Sequence, residues 1–160
     1  MRTALYPGSF DPITTGHVDI IHRALAIFDQ IEVGVASNIR KTSTFSTEER
    51  VAMIRETFAG ESRVIVSEFS GLLVDYAVSR GIKTVVRGLR AVSDFEYEFQ
   101  MASMNRRLTE GVDYTFLMTS EEHFFVSSSL VREVAVNGGD VSRFVPPAAQ
   151  ARLAERFRKR

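Results

Sequence analysis

Cysteine is absent from the 160-residue chain, so it can form neither a disulfide framework nor a thiolate metal site. An excess of charge of one sign is absent too, because 20 Lys and Arg stand against 20 Asp and Glu and the formal net charge is zero. A protein that binds nucleic acid over a broad surface needs a basic excess to release counterions, so any anion site here must be local. No apolar run approaches the roughly 18 residues of a membrane-spanning helix. Pro7-Gly8 interrupts the N-terminal stretch before a signal-peptide core could develop. The expectation is a cytoplasmic chain with no membrane and no nucleic-acid partner. Fixed-period repeats, low-complexity tracts and linker-like segments are missing as well, which predicts a single domain over residues 1–160 that ends in a C-terminal helix. Two phosphate-binding fingerprints are also lacking: no G-x-G-x-x-G follows the first strand and no G-x-x-x-x-G-K-[ST] occurs. Neither a dinucleotide dehydrogenase nor a P-loop enzyme is supported.

The composition is 44% hydrophobic and 25% charged, that of a globular domain able to bury a substantial core. Short β-branched runs alternate with segments of helical period. Thr3–Tyr6, Ile31–Ala36, Arg63–Val66, Lys83–Val86 and Tyr114–Met118 read as strands. Within Gly16–Phe28, the residues Ile21, Ala24, Leu25 and Phe28 recur at helical spacing. Ser46-Thr47-Glu48-Glu49 reads as a capping box ahead of a helix using Val51, Ile54 and Phe58, and Ser93-Asp94-Phe95-Glu96 as a second box opening a long helix to Leu108. Leu72, Leu73, Tyr76 and Ala77 stripe a helix that Gly81 ends. Ser128–Val136 and Pro147–Phe157 supply two more, the last entered through Pro146-Pro147.

This alternation predicts an α/β fold, a doubly wound Rossmann-like five-stranded parallel sheet with helices on both faces. Ligands in such sheets bind beyond the carboxyl ends of the strands where strand order reverses, so the loops after strands one, two, four and five should carry the chemistry. The long helix is apolar on two sides, with Phe95, Phe99 and Ala102 on one and Tyr97, Met101, Met104 and Leu108 on the other. Such a helix is either fully buried or shared between subunits.

The segment after the first strand runs Pro7-Gly8-Ser9-Phe10-Asp11-Pro12-Ile13-Thr14-Thr15-Gly16-His17. Gly8 and Gly16 allow backbone to approach a ligand closely, and Gly16-His17 stands at a helix N-terminus, where free N–H groups and the helix dipole favour anions. The same residues also read as turn punctuation with His17 as a polar cap. Thr14-Thr15-Gly16-His17 resembles the T/H-x-G-H signature of the nucleotidylyltransferase superfamily. Val126-Ser127-Ser128-Ser129, followed by Leu130-Val131-Arg132-Glu133, resembles its I-S-S-[ST] signature with Val in place of Ile. Tyr6 to Pro12, Arg87-Gly88-Leu89-Arg90, Asp94-Phe95-Glu96-Tyr97-Glu98, Met104-Asn105 and Gly139-Asp140-Val141 resemble the phosphopantetheine adenylyltransferase family. The likeness covers nearly the whole chain.

That resemblance implies a nucleotidyltransferase that moves AMP from ATP to 4′-phosphopantetheine, giving dephospho-coenzyme A and pyrophosphate in coenzyme A biosynthesis. It also implies a homohexamer built as a dimer of trimers and feedback by coenzyme A. Mg²⁺ is expected with the triphosphate, because this ion keeps several waters and needs few protein ligands; no metal-ligand cluster is evident in the chain. Because the attacking phosphate is already ionised, in-line positioning and charge stabilisation at the α-phosphorus suffice.

By resemblance, His17 is catalytic and donates to the α-phosphate, while Ser9 and Phe10 contact both substrates. Lys41 and Arg87 hold the phosphopantetheine phosphate, and Leu73 contacts the pantetheine arm. ATP is implied at Gly88, Leu89, Arg90 and Glu98 and along His123, Phe124, Phe125, Val126, Ser127, Ser128 and Ser129, with His123 as a backbone or stacking contact at most. Asp94 and Glu96 read as cap and surface, and His22 has no role. Lys41, Arg87, Arg90 and His17 are therefore expected to make one cationic cleft in a neutral chain, while the basic C-terminus from Arg156 to Arg160 reads as a solvated tail. A sister enzyme acting on nicotinamide mononucleotide or a phosphorylated alcohol is opposed by the Arg87 to Glu98 block. A noncatalytic nucleotide-binding module is opposed by His17 and the serine run.

Overall fold

The computed structural model describes residues 1–37 and 42–158. The elements are β1 (Thr3–Gly8), α1 (Thr15–Ala24), β2 (Gln30–Ala36), α2 (Thr47–Thr57), β3 (Val64–Phe69) and α3 (Leu73–Ser79), followed by β4 (Thr84–Leu89), α4 (Val92–Leu108), β5 (Asp113–Met118), α5 (Ser128–Val136) and α6 (Pro147–Arg156). All pairings are parallel, in the order β3-β2-β1-β4-β5, so the predicted Rossmann-like sheet is present. Strand order reverses between β1 and β4. There β1 stays registered with β2 from Thr3↔Gln30 to Gly8↔Val35 but shares with β4 only the pair Leu5↔Val85.

The central strands are buried on both faces, as parallel strands roofed by helices must be. Ile31, Val33 and Val35 on β2 are fully buried in a core that α1, α2, α5 and α6 complete through Ile21, Ile54, Val131 and Leu153. A smaller cluster of Leu5, Ala77, Ile82, Val85 and Val112 lies against α3. Glu32 is also buried on β2, and its carboxylate accepts from Ser67 Oγ at 2.8 Å, from Arg80 Nε at 3.1 Å and from the Tyr76 hydroxyl. Burial alone would raise its pKa, but the bonds from Tyr76, Ser67 and Arg80 outweigh it and hold the group below the usual carboxylate range. No helix among the described residues is long and apolar enough to cross a membrane.

Several local readings change. β3 runs on to Phe69 and β4 to Leu89, because both continue their pairing with β2 and β5. α1 ends at Ala24, beyond which Leu25 to Ile27 form a turn. The second capping box does not form. α4 starts at Val92 with Ala91 as an N-cap lacking any side-chain bond, and Asp94 accepts instead from the Arg90 backbone N–H at 3.2 Å and from Arg90 Nε at 3.1 Å. The polarity of α4 is also inverted, since its buried residues are Glu98, Ala102 and Asn105 while Phe95, Tyr97, Phe99, Met101, Met104 and Leu108 are exposed. Full burial within the chain is thereby excluded for this helix.

The box at Ser46 does form: Ser46 Oγ accepts the Glu49 N–H at 3.2 Å and Glu49 Oε2 accepts the Ser46 N–H at 2.7 Å. Ser46→Ala should therefore lower stability in urea by about 1 kcal/mol. Ser93→Ala, with no cap to lose, should stay within about 0.5 kcal/mol of the parent.

Candidate active site

Where β1 and β4 part, a cleft of about 500 Å³ opens at their carboxyl ends. Its walls come from the loop after β1, the first turns of α1, α4 and α5, and the segment after β5. Arg87 spans the opening, donating through Nη1 to the Pro7 carbonyl at 2.7 Å.

The loop after β1 is braced from several sides. Phe10 has a φ of 47°, the left-handed region a non-glycine residue occupies only under constraint. Its ring turns back over Gly8, where a Cβ would lie 2.9 Å from the ring, so only glycine fits. The buried Asp11 carboxylate accepts the backbone N–H groups of Thr44 and Phe45, both at 2.9 Å, and faces Arg132 at 3.6 Å. Arg50, reaching from α2, donates to the Ser9 carbonyl at 2.6 Å. Gly16, by contrast, has room for a methyl group, whose nearest neighbour would be His123 Cβ at 3.6 Å.

His17 forms a capping box with Thr14. Its Nδ1 accepts the Thr14 backbone N–H at 3.0 Å, and Thr14 Oγ1 accepts the His17 backbone N–H at 3.4 Å. An Nδ1 engaged as acceptor assigns the ring proton to Nε2, so the neutral imidazole presents an N–H donor on the cleft wall. Burial, followed by the nearby Arg90 and Arg87, lowers its pKa to about 4. His17 is thus the polar cap of α1 and at the same time a lining residue of the cleft.

The cleft arginines are paired. Arg87 binds Glu98 through Nε at 2.8 Å and through Nη2, and with the Pro7 bond this engages three of its five N–H groups. Arg90 holds Asp94 and also points Nη1 at the Val126 carbonyl, at 3.4 Å. With His17 neutral and both arginines neutralised, these described groups do not make the expected strongly cationic cleft.

At the N-terminus of α5 the three serines differ. Ser127 Oγ caps the helix by accepting the Leu130 N–H at 3.2 Å, Ser128 Oγ donates to the Pro12 carbonyl at 2.8 Å, and Ser129 Oγ accepts from Arg132 Nη2 at 3.3 Å. Ser127 and Ser129 thus retain O–H donors while the Ser128 proton is engaged. Val126 anchors the run in the core.

The cleft gathers Ser9, Phe10, His17, Arg87, Gly88, Arg90, Glu98, His123, Val126, Ser127, Ser128 and Ser129 of the implied set. Others are placed elsewhere. Leu89 is a strand residue with a buried side chain, and Leu73 packs against the smaller core at the start of α3. Phe124 and Phe125 are exposed, with Phe125 edge-on to Phe144. Lys41 lies outside the described residues. Tyr6, Tyr97 and Thr119 line the cleft without a role having been implied for them, and Asp94, read as cap or surface, lines it too. The position of Thr119, directly after the last strand, was the available signal for it. Burial raises the Tyr6 phenol far above its usual pKa, so it stays neutral.

A cytidylyltransferase-like family model matches residues 5–134. Phosphopantetheine adenylyltransferase of Anaeromyxobacter dehalogenans is 57% identical over 91% of this chain and 89% of its own length, and that of Geotalea daltonii 50% identical over 99% of both. The chain belongs to the phosphopantetheine adenylyltransferase family. As a member of it, the protein is an enzyme, a nucleotidyltransferase. The fold is shared more widely. A solved structure described as a putative nicotinate-nucleotide adenylyltransferase from Vibrio parahaemolyticus aligns with 100% of this chain and 98% of its own at a TM-score of 0.68 and 19% identity. A bifunctional NMN adenylyltransferase/ADP ribose pyrophosphatase from Francisella tularensis covers 99% of this chain with 50% of its own, at a TM-score of 0.75 and 17% identity.

The His17 proton is assigned by the Thr14 amide and its pKa by burial, which fixes the sign of two pH effects. Imidazole NMR shifts of His17 should titrate near pH 4 instead of near 6.5. Because the unfolded chain takes up this proton first, stability should fall as pH drops from 6.5 towards 4, and His17→Gln should lose less over that window.

Proposed function

We propose that the protein transfers AMP from ATP to 4′-phosphopantetheine, releasing pyrophosphate and forming dephospho-coenzyme A, within coenzyme A biosynthesis. The observation that carries this reading is the neutral His17 donor, fixed by the Thr14 amide in the same cleft as Ser9, Arg87 and the N-terminus of α5. The identities of 50% and more to relatives bearing the phosphopantetheine adenylyltransferase name support the choice of substrates.

In this reading an oxygen of the phosphopantetheine phosphate attacks the α-phosphorus in line. The new P–O bond forms as the bond to the β-phosphate oxygen breaks, and pyrophosphate leaves with that electron pair. No side chain needs to remove a proton, since the nucleophile is already an anion. His17 Nε2–H donates to an α-phosphoryl oxygen as negative charge grows there, the kind of preorganised donor whose removal costs about 10²–10³ in rate. Arg87 keeps two N–H groups beyond its bonds to Glu98 and Pro7 and offers them to the phosphopantetheine phosphate. Ser9 sits between the two substrates. Arg90, the Ser127 and Ser129 hydroxyls and the free amides of the first turn of α5 receive the β- and γ-phosphates.

Among the described residues no three His, Asp or Glu side chains gather into a metal site, and the two carboxylates lining the cleft, Asp94 and Glu98, are each bound to an arginine. This donor set fits a Mg²⁺ held by the triphosphate and water, and such an ion supplies charge neutralisation on the phosphates. The exposed aromatic and methionine face of α4 supports burial of that helix between subunits, in keeping with a homohexamer of two trimers. Coenzyme A, which carries the same arm and adenylate as the product, fits as a feedback ligand of the cleft.

Purified protein should release pyrophosphate from ATP with 4′-phosphopantetheine and not with nicotinamide mononucleotide; the opposite preference would overturn the assignment. His17→Ala should lower kcat by about 10²–10³ while ATP affinity, read by calorimetry, stays within about tenfold. Light scattering should return six times the monomer mass.

A further inference from the structure

Arg50 stands out because α2 buries it, with 3% of its surface exposed, and none of the ion pairs among the described residues includes it. Its guanidinium is held by oxygens alone. Nη1 donates to the Ser9 carbonyl at 2.6 Å and to the Ala36 carbonyl at 3.0 Å, Nη2 to Thr47 Oγ1 at 2.9 Å, and Nε to the Ser46 carbonyl at 3.3 Å. One planar fork therefore ties together the loop after β1, the end of β2 and the start of α2. The carbonyl it grips belongs to a cleft-lining residue, directly before the left-handed Phe10.

A buried cation without a carboxylate is expensive unless other charge compensates it. The loop in front of Arg50 is the wall on which the phosphates are proposed to sit. Arg87 and Arg90 there are already neutralised by Glu98 and Asp94, and Arg132 faces Asp11. We propose that Arg50 is a positioning residue for the transfer reaction: it fixes Ser9 through its carbonyl and places behind the loop a positive charge that the exposed Glu48 offsets only from a distance, so that the anionic substrates complete its compensation. This inference rests on the adenylyl-transfer reading for its kinetic part only.

Two variants separate the parts. Arg50→Lys keeps the charge but loses the fork, whereas Arg50→Gln loses both. With each protein confirmed folded by circular dichroism and its melting temperature recorded, kcat and KM are measured with both substrates. Pyrophosphate affinity is measured by calorimetry, and amide exchange is followed over residues 8–13. Arg50→Lys should bind pyrophosphate within about threefold of the parent, exchange faster over the loop and lose about tenfold or more in kcat. Arg50→Gln should lose affinity for pyrophosphate as well.

Unchanged kcat and unchanged loop exchange in Arg50→Lys would overturn the positioning role. Unchanged pyrophosphate affinity in a folded Arg50→Gln, with only the melting temperature lowered, would reduce Arg50 to a structural residue and overturn the charge role. Should Arg50→Gln not fold, Arg50→Met at the same volume class provides the affinity measurement, and failure of both to fold while Arg50→Lys matches the parent in kcat and exchange also overturns the proposal. Absence of turnover by the parent protein with phosphopantetheine would sink the substrate reading alone, because pyrophosphate binding and loop exchange are read without it.

Discussion

The structure turns on the parting of two strands. β1 and β4 are neighbours in the sheet, yet they register at a single pair and then separate, so the backbone groups beyond that point need other partners. The Arg87 side chain supplies one by reaching back to the Pro7 carbonyl, and the same guanidinium recruits Glu98 from α4. This one residue thus closes the floor of the cleft and orients the helix that forms one of its walls. Gly88 sits at the same opening, where Ile20 of α1 would lie 3.0 Å from any added Cβ, so strand and helix pack backbone to side chain.

A cleft built in this way would, on the proposed function, meet anions differently from a basic patch. The ion pairs cancel charge locally, so a phosphate meets oriented N–H and O–H donors, with directional hydrogen bonds outweighing long-range attraction. Three arginines around the site are matched in this way, Arg87 with Glu98, Arg90 with Asp94 and Arg132 with Asp11, while Arg50 behind the loop is in none of these pairs. Binding of this kind depends on donors being held still, and the strained Phe10, the buried Asp11 and the Gly8 beneath the ring are the means of holding them.

Much of this was legible in the sequence, for identifiable reasons. The five strands and the box at Ser46 follow from local periodicity and hydroxyl placement, and both are local properties. His17 was legible because its position after a glycine and before an apolar stripe marks a helix N-terminus. The box at Ser93 misled because α4 starts at Val92, which puts Ser93 inside the first turn where it cannot cap, while Asp94 turns back to Arg90 at the end of β4. Leu89 falls away from the cleft because its strand position turns the side chain into the core, Leu73 because it packs on the smaller core from α3, and Phe124 and Phe125 because they sit exposed in the turn before α5. Arg50 carried no signal at all. Inside an E-E-R run on a predicted helix it looks like a solvated charge, and only the sheet order brings the ends of β1 and β2 against it.

The double engagement of His17 has an evolutionary side. Active-site residues are usually a burden on the fold, and replacing them often makes a protein sturdier at the expense of function. Here the imidazole that faces the cleft also accepts the N-cap amide of α1 and belongs to the reciprocal box that starts the helix. A substitution here that cannot accept the Thr14 amide would remove the cleft-facing N–H and loosen the start of α1 together, whereas a residue such as Gln, which can complete the box, would separate the two.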